Sequence, residues 1–290
     1  MIVDSHAHYS NPCYQKPFRY LKWSEDGYSL TEGSLERLLA QQEAAGIRYS
    51  IEPGISLQSC EAVLRLCQAY SDRIFPAMGF HPTRAIWERW SDRKRLAEYA
   101  KTPGVVAIGE TGLDYHYERK AQHRTRQHLW FLYQLDLAHK LKKPVILHVR
   151  DAHEDALRIL KRHPARKLGG VVHCFNGNKA IAQRYLELGY HIGIGGAVLQ
   201  QEERAADLWE AVRYIPLERI LLETDAPYIL PYCKDVIKPK HLRRARNTSL
   251  ILPAVIEKIA ELKGIPADAV EQATAENAIR LFRLPVSVER

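Results

Sequence analysis

Seven side chains able to bind cations or move protons stand at the ends of apolar runs in this chain: His6, His8, His81, Glu110, His148, His173 and Asp225. Imidazole nitrogen and carboxylate oxygen are good ligands for divalent first-row metals. The spacing of two between His6 and His8 puts both rings on one side of an extended strand. Any one histidine, taken alone, reads as a satisfied core or capping residue. The set reads differently. Four imidazoles (His6, His8, His148, His173) and two carboxylates (Glu110, Asp225) gathered in one cavity would each cost roughly 1–3 kcal/mol if left uncompensated. A shared metal cluster removes that cost.

The elements that must position these groups recur along the chain as a short apolar run, then a helix-like segment, then another run. Eight runs can be counted: Ile2–Ser5, Tyr49–Glu52, Ile74–Met78, Val105–Gly109, Val145–Leu147, Val171–Val172, Tyr190–Ile194 and Ile220–Glu223. Continuous apolar runs are the pattern of parallel strands buried on both faces. Between them, Glu36–Ala45, Ser59–Tyr70, His128–Leu141, Ala152–Arg162, Lys179–Leu188 and Leu250–Leu262 carry helical periodicity. In His128–Leu141, Leu129, Leu132, Tyr133, Leu135 and Leu137–Ala138 form a broad apolar face beside Gln127, Gln134 and His139. Strand–helix alternation of this kind gives a closed barrel or a doubly wound open sheet. The glycines of Gly193-Ile194-Gly195-Gly196 lack dinucleotide-fingerprint spacing. The polar groups fall at the C-terminal ends of the runs, where barrel active sites form. The expectation is a single α/β domain over residues 1–290, a (β/α)8 TIM-type barrel.

Composition limits the function classes. Lys plus Arg exceeds Asp plus Glu by 42 − 34 = 8, which favours a polyanionic partner, although many proteins carry such a surplus for solubility alone. The five cysteines, Cys13, Cys60, Cys67, Cys174 and Cys233, are scattered without a C-x-x-C pair. That speaks against a disulfide framework and a thiolate zinc site. No apolar stretch approaches the roughly 20 residues of a membrane span, and the N-terminus has no signal-like segment. A cytoplasmic protein with no membrane partner is expected; oligomeric state is not legible.

Six ordered blocks resemble the TatD-type metal-dependent deoxyribonucleases, relatives of the amidohydrolase barrels. They are Asp4-Ser5-His6-Ala7-His8, Gly79-Phe80-His81-Pro82, Ala107–Tyr115, Pro144–Arg150, Val172–Gly177 and Leu222–Tyr228. Thr274, Asn277 and Leu281-Phe282 echo the family's closing helix, so the likeness spans nearly the whole chain. The resemblance implies a binuclear centre of zinc, magnesium or manganese. His6, His8 and Asp225 would hold one ion, His148 and His173 the other, and Glu110 would bridge. Two such cations lower the pKa of a bridging water and clamp a phosphoryl oxygen. Asp225 is then the candidate general base, against the alternative of a helix N-cap before Pro227. Asp4 and Glu223, two residues before a ligand, would point inward and either orient ligand imidazoles through the second ring nitrogen or pair with basic residues in the barrel floor.

His81 and Arg150 are expected to contact substrate phosphate, Arg150 with the alternative of a surface salt bridge to Asp151 or Asp155. Lys234, Lys238, Lys240, Arg243, Arg244 and Arg246 form a basic loop expected to overhang the mouth; Arg119, Lys120, Arg124 and Arg126 form a second basic stretch. Segment 9–32, with Tyr9, Tyr14, Phe18, Tyr20, Trp23 and Tyr28, reads as a long loop or lid. Its aromatics would stack bases of a single strand or pack on the barrel rim. Two departures from the family pattern bear on specificity: Arg246-Asn247-Thr248-Ser249 stands where Asn-Glu-Pro is expected, and Pro82-Thr83 follows His81. The leading expectation is a phosphodiesterase, an exodeoxyribonuclease on single-stranded DNA. A hydrolase of ester or amide bonds, for instance in a modified or mischarged tRNA, would use the same site, because fold alone does not choose. A non-catalytic metal-bound adaptor is the third reading.

Overall fold

The computed structural model describes residues 1–24, 26–117, 120–233, 237–243 and 245–286. Its strands, in chain order, are β1 (Ile2–Asp4), β2 (Phe18–Ser24), β3 (Gly27–Gly33), β4 (Ile47–Pro53), β5 (Ile74–Met78), β6 (Ala107–Asp114), β7 (Val145–Arg150), β8 (Gly170–Val172), β9 (His191–Ile194), β10 (Ile220–Leu222) and β11 (Ala245–Arg246). Eight of them follow one another as β1-β4-β5-β6-β7-β8-β9-β10, with every neighbouring pair parallel. The ring closes between first and last. Ser5 N–H donates to the Leu222 carbonyl (2.8 Å), Asp225 N–H donates to the His6 carbonyl (2.9 Å), and Ala7 bridges Ala226 in parallel. Each of the eight apolar runs has become one strand of a barrel.

Helices lie between and after the strands: α1 (Leu35–Ala44), α2 (Leu57–Ala69), α3 (Pro82–Ala85), α4 (Arg93–Ala100), α5 (Ala121–Leu141), α6 (His153–Arg162), α7 (Lys179–Glu187), α8 (Glu202–Tyr214), α9 (Pro239–Leu242), α10 (Leu252–Lys263) and α11 (Ala267–Phe282). One apolar cluster takes a residue from seven barrel strands, among them Val3, Ile51, Ala107, Ile146 and Leu221, and is joined by Ala278 and Phe282 of α11. A larger cluster packs the other strand faces against the helices. Alternation along β7 then turns His148, two residues beyond Ile146, toward the same interior.

Helix α5 corrects the expected amphipathic face. Leu129 and Leu132 are exposed, and Gln127 and Gln134 are buried beside Trp130, Phe131 and Leu135. The buried stripe runs 127, 130, 131, 134, 135, 138, a regular helical set containing two amides. Both amides are satisfied by backbone. Gln127 accepts from Asp114 N–H (2.8 Å) and donates to Asp114 C=O (2.8 Å). Gln134 accepts from Phe80 N–H (2.7 Å) and donates to Phe80 C=O (3.2 Å). The helix thus grips the two segments that carry Glu110 and His81. Substituting Gln134 by Leu leaves the Phe80 amide groups without these partners, and urea unfolding should show a loss of about 2–4 kcal/mol. A loss below about 0.5 kcal/mol would mean the clamp is dispensable.

Segment 9–32, expected as one long loop, is irregular apart from a short helical turn at Pro12–Tyr14 as far as residue 17 and then turns into strands. β2 and β3 pair antiparallel, with Phe18 opposite Gly33 and Ser24 opposite Gly27, and β11 adds a parallel third strand beside β2. Tyr9, Tyr14, Phe18 and Tyr20 are buried and touch in series, with ring centroids 5.2, 4.7 and 5.2 Å apart. These four rings are core, so the packing alternative holds for them and base stacking does not. Apolar area of this size, removed from water, fixes the segment as a wall.

Candidate metal centre

The barrel closure and strand ends bring His6, His8, His81, Glu110, His148, His173 and Asp225 together. Glu110 is buried at the centre. Its Oε2 lies 3.5 Å from His6 Nε2 and 3.6 Å from His8 Nε2. Its Oε1 lies 2.8 Å from His173 Nε2, 3.0 Å from His148 Nδ1 and 3.5 Å from His81 Nε2. Asp225 Oδ1 completes the first side, 3.4 Å from His8 Nε2 and 3.7 Å from His6 Nε2. The nitrogens of His6 and His8 face each other at 3.1 Å, as do those of His148 and His173. Three groups have ligand atoms within 4.8 Å of one another: His6 with Glu110 and His173, His6 with His8 and Asp225, and, sharing no residue with these two, His81 with Asp114 and His148.

Local backbone makes this crowding possible. Asp225 (φ 54°) and Cys174 (φ 49°) adopt the left-handed region just past β10 and β8, a costly conformation for non-glycine residues that clusters at functional sites. No helix begins at Asp225; the chain turns there, Tyr228 N–H donating to its carbonyl (2.8 Å). The N-cap alternative for Asp225 therefore lapses. Gly112, between Glu110 and Asp114 on β6, has φ 144°, and a Cβ there would stand 2.0 Å from the His148 carbonyl. Only glycine lets β7 approach so closely.

The electrostatics fit a cation site. Burial and His173 push the His6 ring down to about 4; burial and His148 push His81 down to about 3. Burial works against protonation of His8 and His148 as well, but Asp225 and Glu110 hold His8 up at about 9. Asp114 and Glu110 do the same for His148. Burial opposes ionisation of Glu110, yet His173, His81 and His148 hold it well below the carboxylate range. The same carboxylates that favour positive charge on His8 and His148 would favour a cation in its place, and binding would release any proton the rings carry.

Around the cluster the expectations divide. Asp4 does not reach an imidazole. It accepts from Thr224 Oγ1 and Ser249 Oγ (both 2.6 Å) and from the backbone N–H of His6 and Thr224 (both 3.1 Å). Since β1 ends at Asp4, strand alternation does not carry from Asp4 to His6, and the carboxylate holds the ligand-bearing backbone instead. Burial raises it to about 6 against these hydrogen bonds. Glu223 Oε1 stands 3.9 Å from His173 Nδ1, outside hydrogen-bond range, and accepts from the Cys174 N–H. Two residues were missed by sequence reasoning. Asp114 Oδ2 lies 3.0 Å from His148 Nε2; its position on β6, four past Glu110, was the available signal. Glu52, at the end of the second run, accepts from Tyr9 N–H (2.7 Å) and Ser10 N–H (2.9 Å), and burial raises it to about 7.

At the rim, His81 and Arg150 border a mouth cavity of about 370 Å³ with His8, Glu110, His148 and Asp225. Arg150 Nη1 donates to Tyr117 Oη (3.1 Å), and its guanidinium lies 4.9 Å from that ring centre. Asp151 and Asp155 are engaged elsewhere, with His116 and Tyr115. Arg246 sits in β11 against Cys13 rather than in the mouth, because its strand pairs with β2. Arg243 is exposed and does not line the cavity. Arg244, Lys234 and Arg119 lie outside the described residues. A cavity of about 850 Å³ opens at the opposite end of the strands, beside Phe75 and Phe282, and carries none of the cluster.

A barrel with buried imidazoles and carboxylates at the C-terminal strand ends defines the class of metal-dependent hydrolases. The family model described as "TatD related DNase" matches residues 3–283, and the chain belongs to that family. It is 38% identical over 264 residues (89% of this chain, 98% of the relative) to the "3'-5' ssDNA/RNA exonuclease TatD" of Edwardsiella piscicida. It is 31% identical over 284 residues (98% and 100%) to the "uncharacterized metal-dependent hydrolase YabD" of Bacillus subtilis. The crystal structure of the TatD homologue YjjV from Escherichia coli superposes with a TM-score of 0.81 at 30% identity, covering 98% of both chains. The chain is thus a metal-dependent hydrolase of a nuclease family. Among the described residues no helix is long and apolar enough to cross a membrane.

Proposed function

We propose that the protein removes nucleotides from the 3' end of single-stranded DNA, with RNA as a further substrate, using two divalent cations. One observation carries this reading: the two oxygens of Glu110 face different histidine groups, His6 with His8 on one side and His148 with His173 on the other. A carboxylate so placed suits a bridging ligand. His6, His8 and Asp225 would hold the first cation, and His148 and His173 the second. Bound there, divalent ions supply Lewis acidity toward a phosphoryl oxygen and acidify water. Imidazole-rich coordination suits zinc, and phosphoryl transfer also works with magnesium or manganese.

The chain's own residues do the rest. Asp225 takes the proton of the attacking water, its carboxylate kept ionised, against burial, by His8, His6 and His173. His81 and Arg150 bind phosphate oxygens from the rim. Asp114 orients His148, and Asp4 fixes the backbone of His6 and Thr224. The five cysteines stay free thiols, in keeping with a cytosolic location.

The test uses purified protein loaded in turn with Mg²⁺, Mn²⁺ or Zn²⁺ and offered end-labelled single-stranded DNA, RNA and a panel of carboxyl esters. Stepwise loss of 3' nucleotides is the expected result. Intact strands at full metal content would overturn the substrate assignment, and turnover of carboxyl esters alone would move the site to acyl chemistry.

A further inference from the structure

Beside the mouth cavity runs a second, larger groove of about 790 Å³ that shares His8, Ile55, Arg84 and Tyr228 with it. It passes over the start of α2 to Arg65 and is flanked by two rings that folding leaves unburied, Trp87 at 73% exposure and Tyr228 at 50%. Tyr228 stands next to the cluster, its ring centre 6.2 Å from that of His8, and its hydroxyl accepts from Asn11 Nδ2 (3.2 Å). Two large aromatics left this exposed along one groove bury little of their apolar area in the fold. Trp87 meets His123 in an edge-to-face contact, with ring centres 5.7 Å apart, and Tyr228 meets His8 in the same manner. The large exposed area that remains on each ring is accessible to a planar ligand.

The charges in the groove point the same way. Its acids are engaged: Glu61 with Arg95 and Tyr99, and Glu88 with the Leu57 N–H. Arg65 and Arg84 are both lining residues, and no ion pair of either is found among the described residues. The groove therefore offers free guanidinium groups and aromatic faces in line with a metal site. That combination binds single-stranded nucleic acid, whose phosphates follow the cations and whose unpaired bases stack on rings.

We infer that this groove holds the nucleotides next to the one being cut, with Trp87 and Tyr228 as stacking platforms and Arg65 and Arg84 as phosphate contacts. The inference rests on the nuclease reading above. The smaller mouth cavity takes the terminal nucleotide, and the groove sets how many more the protein feels. It also sets a preference for single strands, since the bases of a duplex are not available to rings on the protein.

The test compares wild-type protein with Trp87→Ala, Trp87→Phe and Arg65→Ala on two substrates at saturating Mn²⁺. One is a tetranucleotide of DNA; the other is bis(p-nitrophenyl) phosphate, a phosphodiester too short to occupy both cavities. For Trp87→Ala the KM on the tetranucleotide should rise about tenfold with kcat changed less than about twofold. Trp87→Phe, which keeps a ring, should restore most of the loss. Arg65→Ala should raise KM less and flatten its salt dependence. Equal tetranucleotide KM values for wild type and Trp87→Ala would overturn the groove assignment and leave the nuclease reading standing. Wild-type protein that cleaves neither phosphodiester at full metal content would take both down.

Discussion

Replacing Asp225 by Asn lowers kcat on end-labelled single-stranded DNA by about a thousandfold, with KM changed less than about threefold. The amide keeps the shape of the carboxylate but neither takes a proton nor contributes charge to a cation. Asp225 Oδ1 sits 3.4 Å from His8 Nε2 and 3.7 Å from His6 Nε2, so the change falls on the side of the cluster holding those two rings. Circular dichroism and metal analysis of the same preparation separate loss of chemistry from loss of fold. A variant with activity within tenfold of wild type would remove Asp225 as the base, and an unaffected nucleic-acid affinity with no turnover in either protein would favour an adaptor.

Glu110→Gln should act on the cations themselves. Its two oxygens lie within 3.6 Å of nitrogens from His6, His8, His148 and His173, and an amide cannot share negative charge between two ions. Metal content measured by plasma mass spectrometry should fall from about two ions per chain to below about one, and kcat by at least about a thousandfold. Thermal stability gives an independent readout. A cation that binds only the folded state stabilises it by about 2.7 kcal/mol at a hundredfold excess over Kd. Wild type should show that metal-dependent rise and Glu110→Gln should not. Full metal content in the variant would rule out the bridging role.

Much of this architecture is legible in the amino-acid sequence. The barrel could be read because strands covered on both faces are unbroken apolar runs, and each cluster residue closes such a run. Asp114 was missed because Thr111 and Gly112 interrupt the apolar reading of β6, which continues to Asp114. The strands β2 and β3 are hard to read locally because aromatics suit a stacking loop and a β-strand equally. The alternation of Tyr28 and Leu30 with Ser29 and Thr31 was a strand signal, and Trp23 and Leu21 stand opposite Tyr28 and Leu30 in the neighbouring strand. Periodicity sorted α5 by apolar residues, and two buried amides, Gln127 and Gln134, defeat any count that treats glutamine as a surface residue. Arg246 looked like part of a basic loop because charge runs carry no information about a two-residue strand. Phe18–Ser24 and Ala245–Arg246 resist a local reading because they pair with each other across more than two hundred residues.

The seam that completes the ring joins Ser5 to Leu222 and Asp4 to Ser249, residues more than two hundred positions apart. During synthesis, His6 and His8 leave the ribosome long before the residues that will hold them. At roughly 5–20 residues per second, that interval is on the order of ten to fifty seconds. A nascent chain stalled short of Leu222 lacks the closing strand and Asp225, so the cluster stays incomplete until most of the barrel has been made.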